Sequence, residues 1–128
     1  MADEKKTPEL PVFKMREIDS DIFEDTISVF LVDGEEIICC YKAVRDYLVF
    51  TNKRMILVDV QGITGMKKEF EFIPYRNIQT FKVKTAGLVD IDMDVELQIV
   101  GHGKVHMEFA SSTNAGKLVR MISGFTLK

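Results

Sequence analysis

The 128-residue chain has no tryptophan, two cysteines and three prolines. No apolar run approaches the roughly 18 residues needed to cross a bilayer. Cys39 and Cys40 are adjacent, so on a strand they point to opposite faces and cannot form a disulfide framework. A reducing cytoplasm is the default compartment for such a chain. The opening MADEKKTPELP has no apolar core and does not read as a secretory signal. A basic excess is also missing. The net charge is −3, made of −7 over residues 1–41, +5 over 42–85 and −1 over 86–128, far short of a nucleic-acid binder. There is no Walker-type phosphate loop and no G-x-S-x-G elbow.

What the chain does have is a surplus of apolar residues in one stretch, DYLVFTNKRMILVDVQG at 46–62. Two runs, Tyr47–Phe50 and Met55–Val60, flank the polar turn Thr51–Arg54, which reads as a β-hairpin. The runs are nearly continuous, whereas a strand with one wet face alternates. Both faces of this hairpin therefore need a cover. Ile37–Ala43 is apolar on both parities as well.

The flanking segments are more ordinary. Residues 1–18 read as a flexible segment, charged and proline-containing through residue 11, and 19–128 as one domain. Asp19 or Ser20 can cap a helix carrying Ile22, Phe23, Ile27, Phe30 and Leu31, with Gly34 to end it. Lys67–Ile73 alternates, with Pro74 ending the run or marking an edge. Ile78–Thr85 follows, with a bulge because Ile78 breaks the parity of Phe81 and Val83. Val95, Leu97 and Ile99 alternate, and after the Gly101–Gly103 turn so do Val105, Met107 and Phe109. That makes seven strands. A helix closes the chain, capped by Ser112 or Thr113, with Ala115, Leu118, Val119, Ile122 and Phe125 on one stripe and Lys117 and Arg120 opposite.

GEEI at 34–37, TNKRMILVDVQG at 51–62, KKEFEFIPYRNIQTFKV at 67–83, TAG at 85–87, DID at 90–92 and EL at 96–97, in this order and spacing, resemble the bacterial pleckstrin-homology (PH) domain family over about residues 20–126. The family was long catalogued as a domain of unknown function. The resemblance implies a mainly β, α+β fold: a seven-stranded antiparallel PH-like barrel capped by a C-terminal α-helix, here with a short N-terminal helix. It also implies no enzymatic activity and assembly into ring-like homo-oligomers. The chain departs from the family pattern at Lys84, where an acid is common, and at Val100, where an aromatic is common, which bears on subunit number more than on fold.

Self-association fits the surplus on the hairpin, because a soluble monomer rarely leaves so large an apolar face open. The candidate interface residues are Ile37, Cys39, Tyr41, Tyr47, Val49, Met55 and Leu57, with the outward parity undecided. The competing cover is the chain's own first helix. A second function class is an anionic-lipid or phosphate-headgroup module using Lys42, Arg45, Lys53 and Arg54, opposed by Asp46 and by the acidic net charge. A third is a carrier of a small apolar ligand, although nine Phe and seven Met favour a filled barrel. Asp90, Asp92, Asp94 and Glu96 imitate a calcium loop but lack its glycine and distal glutamate. His102 and His106 have no third ligand nearby, and Cys40 has no evident base. The expectation is thus a non-enzymatic, cytoplasmic protein without metal or cofactor, whose partner is first itself and then another protein.

Overall fold

The structure, a computed structural model, describes residues 12–85, 93–109 and 115–127. Its centre is the expected hairpin, β3 (Asp46–Thr51) and β4 (Arg54–Gln61), preceded by β2 (Ile37–Ala43) and followed by β5 (Lys67–Pro74) in an antiparallel meander. A single 3₁₀ turn, Tyr75–Asn77, leads to a second meander of β6 (Ile78–Thr85), β7 (Met93–Ile99) and β8 (Gly103–Phe109). The bulge in β6 is present between Ile78 and Thr80, and Pro74 both ends β5 and sits on an edge strand.

Three expectations fail here. There are eight strands among the described residues, because β1 (Val12–Ile18) precedes the first helix. β1 joins the two meanders, pairing antiparallel with β2 and parallel with β8, so the sheet is not wholly antiparallel. Nor is the barrel closed. The order is β5-β4-β3-β2-β1-β8-β7-β6, with β5 and β6 as unpaired edges of an open, curled sheet.

The curl creates an interior. Leu48, Phe50 and Met55 from the first meander meet Leu97, Met107 and Phe109 from the second, all fully buried. α2 (Ala115–Thr126) closes one end: Leu118 and Ile122 are buried in the same core, and Phe125 stacks on Tyr75 at 4.6 Å. Its proposed caps, Ser112 and Thr113, lie outside the described residues.

The opposite face of the hairpin has its own cover. α1 (Asp21–Ile27) runs into a 3₁₀ turn, Ser28–Phe30, and the pair lies over Cys40, Val49, Ile56 and Val58. Asp19 contributes at the start, where its Oδ1 accepts the Asp21 N–H at 3.0 Å. The helix is shorter than expected, and Gly34 lies in a later turn. Seven residues cannot hold a helix alone in water. Ile27, 0% exposed, anchors it with roughly 2 kcal/mol of burial. Phe30 rests on Phe70 and Phe72 with ring centroids at 4.9 and 5.5 Å. The two cysteines do face opposite ways, Cys39 into the interior and Cys40 under α1.

A buried polar group ties this cover to the hairpin. The Glu35 carboxylate, its side chain 0% exposed, takes two bonds from Arg54 (Nε to Oε2 at 2.9 Å, Nη2 to Oε1 at 3.0 Å), one from the Thr51 hydroxyl at 2.7 Å and one from the Val32 N–H at 3.0 Å. Arg54 Nη2 also donates to the Phe30 carbonyl at 2.8 Å, and Asn52 bridges Gly34 and Glu36. Burial alone would raise the Glu35 pKa, but Arg54, with the Val32 and Thr51 bonds, outweighs it and holds the carboxyl below its ordinary range. A depressed carboxylate contributes stability above its unfolded pKa and loses it as the pH falls. Glu35→Gln is therefore expected to cost about 3 kcal/mol at pH 7, read from urea unfolding. The wild type should lose stability in acid below the ordinary glutamate value of 4.5, and the variant should lack that step.

Candidate functional site

The register places three turns at the end of the barrel away from α2: Val44–Arg45 between β2 and β3, 62–66 between β4 and β5, and 100–102 between β7 and β8. Between them opens a mouth of about 640 Å³. Its floor is apolar, made by Met15, Leu57 and Val105, which also line or pack on the interior core.

Strand alternation then dictates what stands above the floor. Leu48 and Phe50 face inward, so Asp46 on the same parity does too. Asp59 follows Met55 and Leu57 on β4, and Glu69 and Glu71 follow Ile73 back along β5. All four carboxylates line the mouth. Asp59 stands directly opposite Glu69, a like-charge pairing that costs stability. His102 Nε2 meets Glu71 Oε1 at 2.9 Å, joining edge strand β5 to the β7–β8 turn, while His102 Nδ1 is buried without a hydrogen-bond partner among the described residues. Asp46 Oδ1 accepts the Val60 N–H at 3.2 Å. Burial, and then the neighbouring Asp59 carboxylate, raise the Asp46 pKa above the ordinary aspartate value.

The rim is of another kind. Val44, Ile63 and Met66 are 92, 104 and 82% exposed. Their two turns are neighbours, since Arg45 Nη2 donates to the Gly62 carbonyl and would lie 3.5 Å from a Cβ on Gly65. Gly62 and Gly65 both have φ near +75°, which favours glycine, so this turn keeps its shape for backbone reasons.

The anion-binding candidates are not brought together. Lys42 and Arg45 belong to the mouth end, Lys42 with its ammonium 5.6 Å from the Tyr47 ring centre. Lys53 and Arg54 lie on the β3–β4 turn at the other end, and Arg54 is committed to Glu35 and to the Phe72 ring at 4.7 Å. The interface candidates divide between the two faces of the sheet. Cys39, Tyr41 and Met55 point into the interior, and Val49 lies under α1, so these four offer no surface. Ile37, Tyr47 and Leu57 are half-buried, the first two on the outer side and Leu57 against the interior. The hairpin's second face is covered within one chain by Ile27, with Phe30 beside it on Phe70 and Phe72.

His102 and His106 diverge, His106 facing Asp94 at 3.7 Å. Among the described residues no group of three His, Cys, Asp or Glu side chains could hold a metal ion, and Asp90 and Asp92 lie outside them. Burial pushes the Cys40 thiol up to about 12, which suppresses the thiolate a nucleophile needs. No helix among the described residues is long and apolar enough to cross a membrane.

Two curled meanders closed at one end by a C-terminal helix define a PH-like fold. The chain belongs to the bacterial PH domain family, whose sequence model matches residues 9–126. A pleckstrin-homology protein of the DUF1696 family from Shewanella loihica PV-4 superposes with a TM-score of 0.77 at 33% identity, covering 89% of this chain and 98% of that one. The pleckstrin homology domain of Shewanella amazonensis SB2B gives 0.69 at 39% identity, covering 86% and 100%. Two uncharacterised Bacillus subtilis (strain 168) proteins are also similar. YjqA is 47% identical over 78 residues, 61% of this chain and 62% of its own length; YozO is 33% identical over 98 residues, 76% and 83%. PH-like families are generally non-catalytic.

Asp46 offers a test of the crowded mouth. A raised carboxyl pKa means that the ionised group opposes folding, and that its favourable contribution is lost as the pH rises. Asp46→Asn keeps an acceptor for the Val60 N–H and removes the charge. The melting midpoint at pH 7 is expected to rise by roughly 2–4 °C. By calorimetry the gain should shrink as the pH falls toward 3.8.

Proposed function

We propose that this protein is a non-enzymatic interaction module that associates first with copies of itself, through the turns around the mouth rather than through the central hairpin. The observation that carries this reading is the rim of Val44, Ile63 and Met66, three large apolar side chains almost wholly in water on two neighbouring turns. Isolated apolar residues on a surface need no explanation, but three at one tip form a patch that association would dry. The family resemblance, with its ring-like homo-oligomers, supports a second copy as the occupant. The unpaired edges β5 and β6 support it too, because contacts between unlike surfaces close into rings when the rotation allows.

Light scattering on a sizing column tests this. Wild-type protein is expected above the mass of one chain. The triple variant Val44→Ser, Ile63→Ser, Met66→Ser should fall toward one chain with its circular dichroism unchanged, since none of the three is buried. Wild-type particles of one chain at every concentration, or a variant of unchanged size, would contradict it.

One observation favours a membrane reading as well. Arg45, Lys67 and Lys68 stand at the same end as the apolar rim, as in a surface that meets anionic lipid. The four carboxylates in the mouth work against a phosphate there, so this reading stands second.

A further inference from the structure

We infer that the mouth is a binding site for a small organic cation with an apolar body, such as an alkyl- or arylammonium. Size limits what the mouth can hold. About 640 Å³ lies within the range of small-molecule sites, and the barrel interior behind it is filled by Phe50, Met55 and Phe109. A ligand therefore sits in the mouth and not in the core.

Chemistry fixes its class. Met15, Leu57 and Val105 give the floor an apolar surface that rewards burial of hydrocarbon. Asp46, Asp59, Glu69 and Glu71 line the walls around that floor, and among the described residues no lysine or arginine lines it. An anion or a neutral polar ligand meets a one-signed wall; a cation relieves it. The carboxylates come from three strands and form no group able to hold a metal ion, so their spacing suits a diffuse or chain-borne positive charge better than a bare ion. Two features show that the arrangement is unfinished as it stands. His102, which lines the cavity, has its Nε2 on Glu71 and its Nδ1 buried with no hydrogen-bond partner among the described residues. Asp59 and Glu69 face each other across the ladder, a pairing that folding alone would not favour. Burial first, and then the neighbouring Asp59 carboxylate, hold the Asp46 carboxyl above its ordinary range.

The site is separate from the proposed self-association, since Val44, Ile63 and Met66 do not line the cavity. The test is a titration of the full-length protein, in its wild-type form and as the triple rim variant, with n-hexylammonium, n-hexanol and hexanoate, followed by amide chemical shifts. Hexylammonium should shift Leu57, His102 and Val105 and bind about tenfold more tightly than hexanol. Hexanoate should bind most weakly of the three. The double variant Asp59→Asn, Glu69→Gln relieves a like-charge pair, so it should fold at least as well while binding hexylammonium no better than hexanol. Equal binding of the three probes, shifts confined to other regions, or an unaffected double variant would overturn the assignment. Because both oligomeric forms are titrated, failure here is distinguishable from failure of the association reading.

Discussion

The structure depends on keeping both faces of the β3–β4 hairpin dry. Tyr47–Phe50 and Met55–Val60 place apolar side chains on alternate sides without interruption, so one cover is never enough. The curl of the sheet supplies the first, bringing the second meander and α2 against Phe50 and Met55. The second is α1 with its 3₁₀ extension. That cover is small, and it works because three kinds of contact act together: Ile27 fills the outer cluster, Phe30 sits on Phe70 and Phe72, and Arg54 ties the Phe30 carbonyl to buried Glu35.

This arrangement moves the functional question to the ends of the barrel. With the hairpin covered on both sides, the apolar groups still in water are mainly on turns and on the exposed side of the cover, as Val29 and Val32 illustrate. The α2 end is occupied by Tyr75, Phe125 and Met121. At the other end, strands β3, β4 and β5 outrun the core, and their inward positions change from leucine and methionine to aspartate and glutamate. The result is an acidic cavity over an apolar floor, with exposed Val44, Ile63 and Met66 on two turns at the same end. Its charge has the wrong sign for a phosphate.

Much of the fold was legible because residue pattern and local structure agree. The hairpin, Ile37–Ala43, the alternating strands and the stripe of the last helix all appear where period and turn residues place them. β1 was not legible, since Lys14, Arg16 and Glu17 interleave with Met15 and its order comes from long-range pairing to β2 and β8. The parity of the hairpin was undecidable for a different reason: when both faces are apolar, alternation carries no information, and only the packing of Ile27 shows Val49 and Ile56 to be the side that α1 covers. The mouth was missed because its carboxylates are scattered over residues 46–71. The available signal was parity. Glu69 and Glu71 share a side with Ile73, so the face that reads as wet is the continuation of the core face.

The claim that one chain covers its own hairpin is tested most directly by the reactivity of Cys40, which is 0% exposed beneath α1. In a Cys39→Ala background at low protein concentration, modification of Cys40 by a thiol reagent should run at least about a hundredfold slower than in urea, and Ile27→Ala should accelerate it. A native-state rate equal to the unfolded one, or a rate that Ile27→Ala leaves unchanged, would contradict the account.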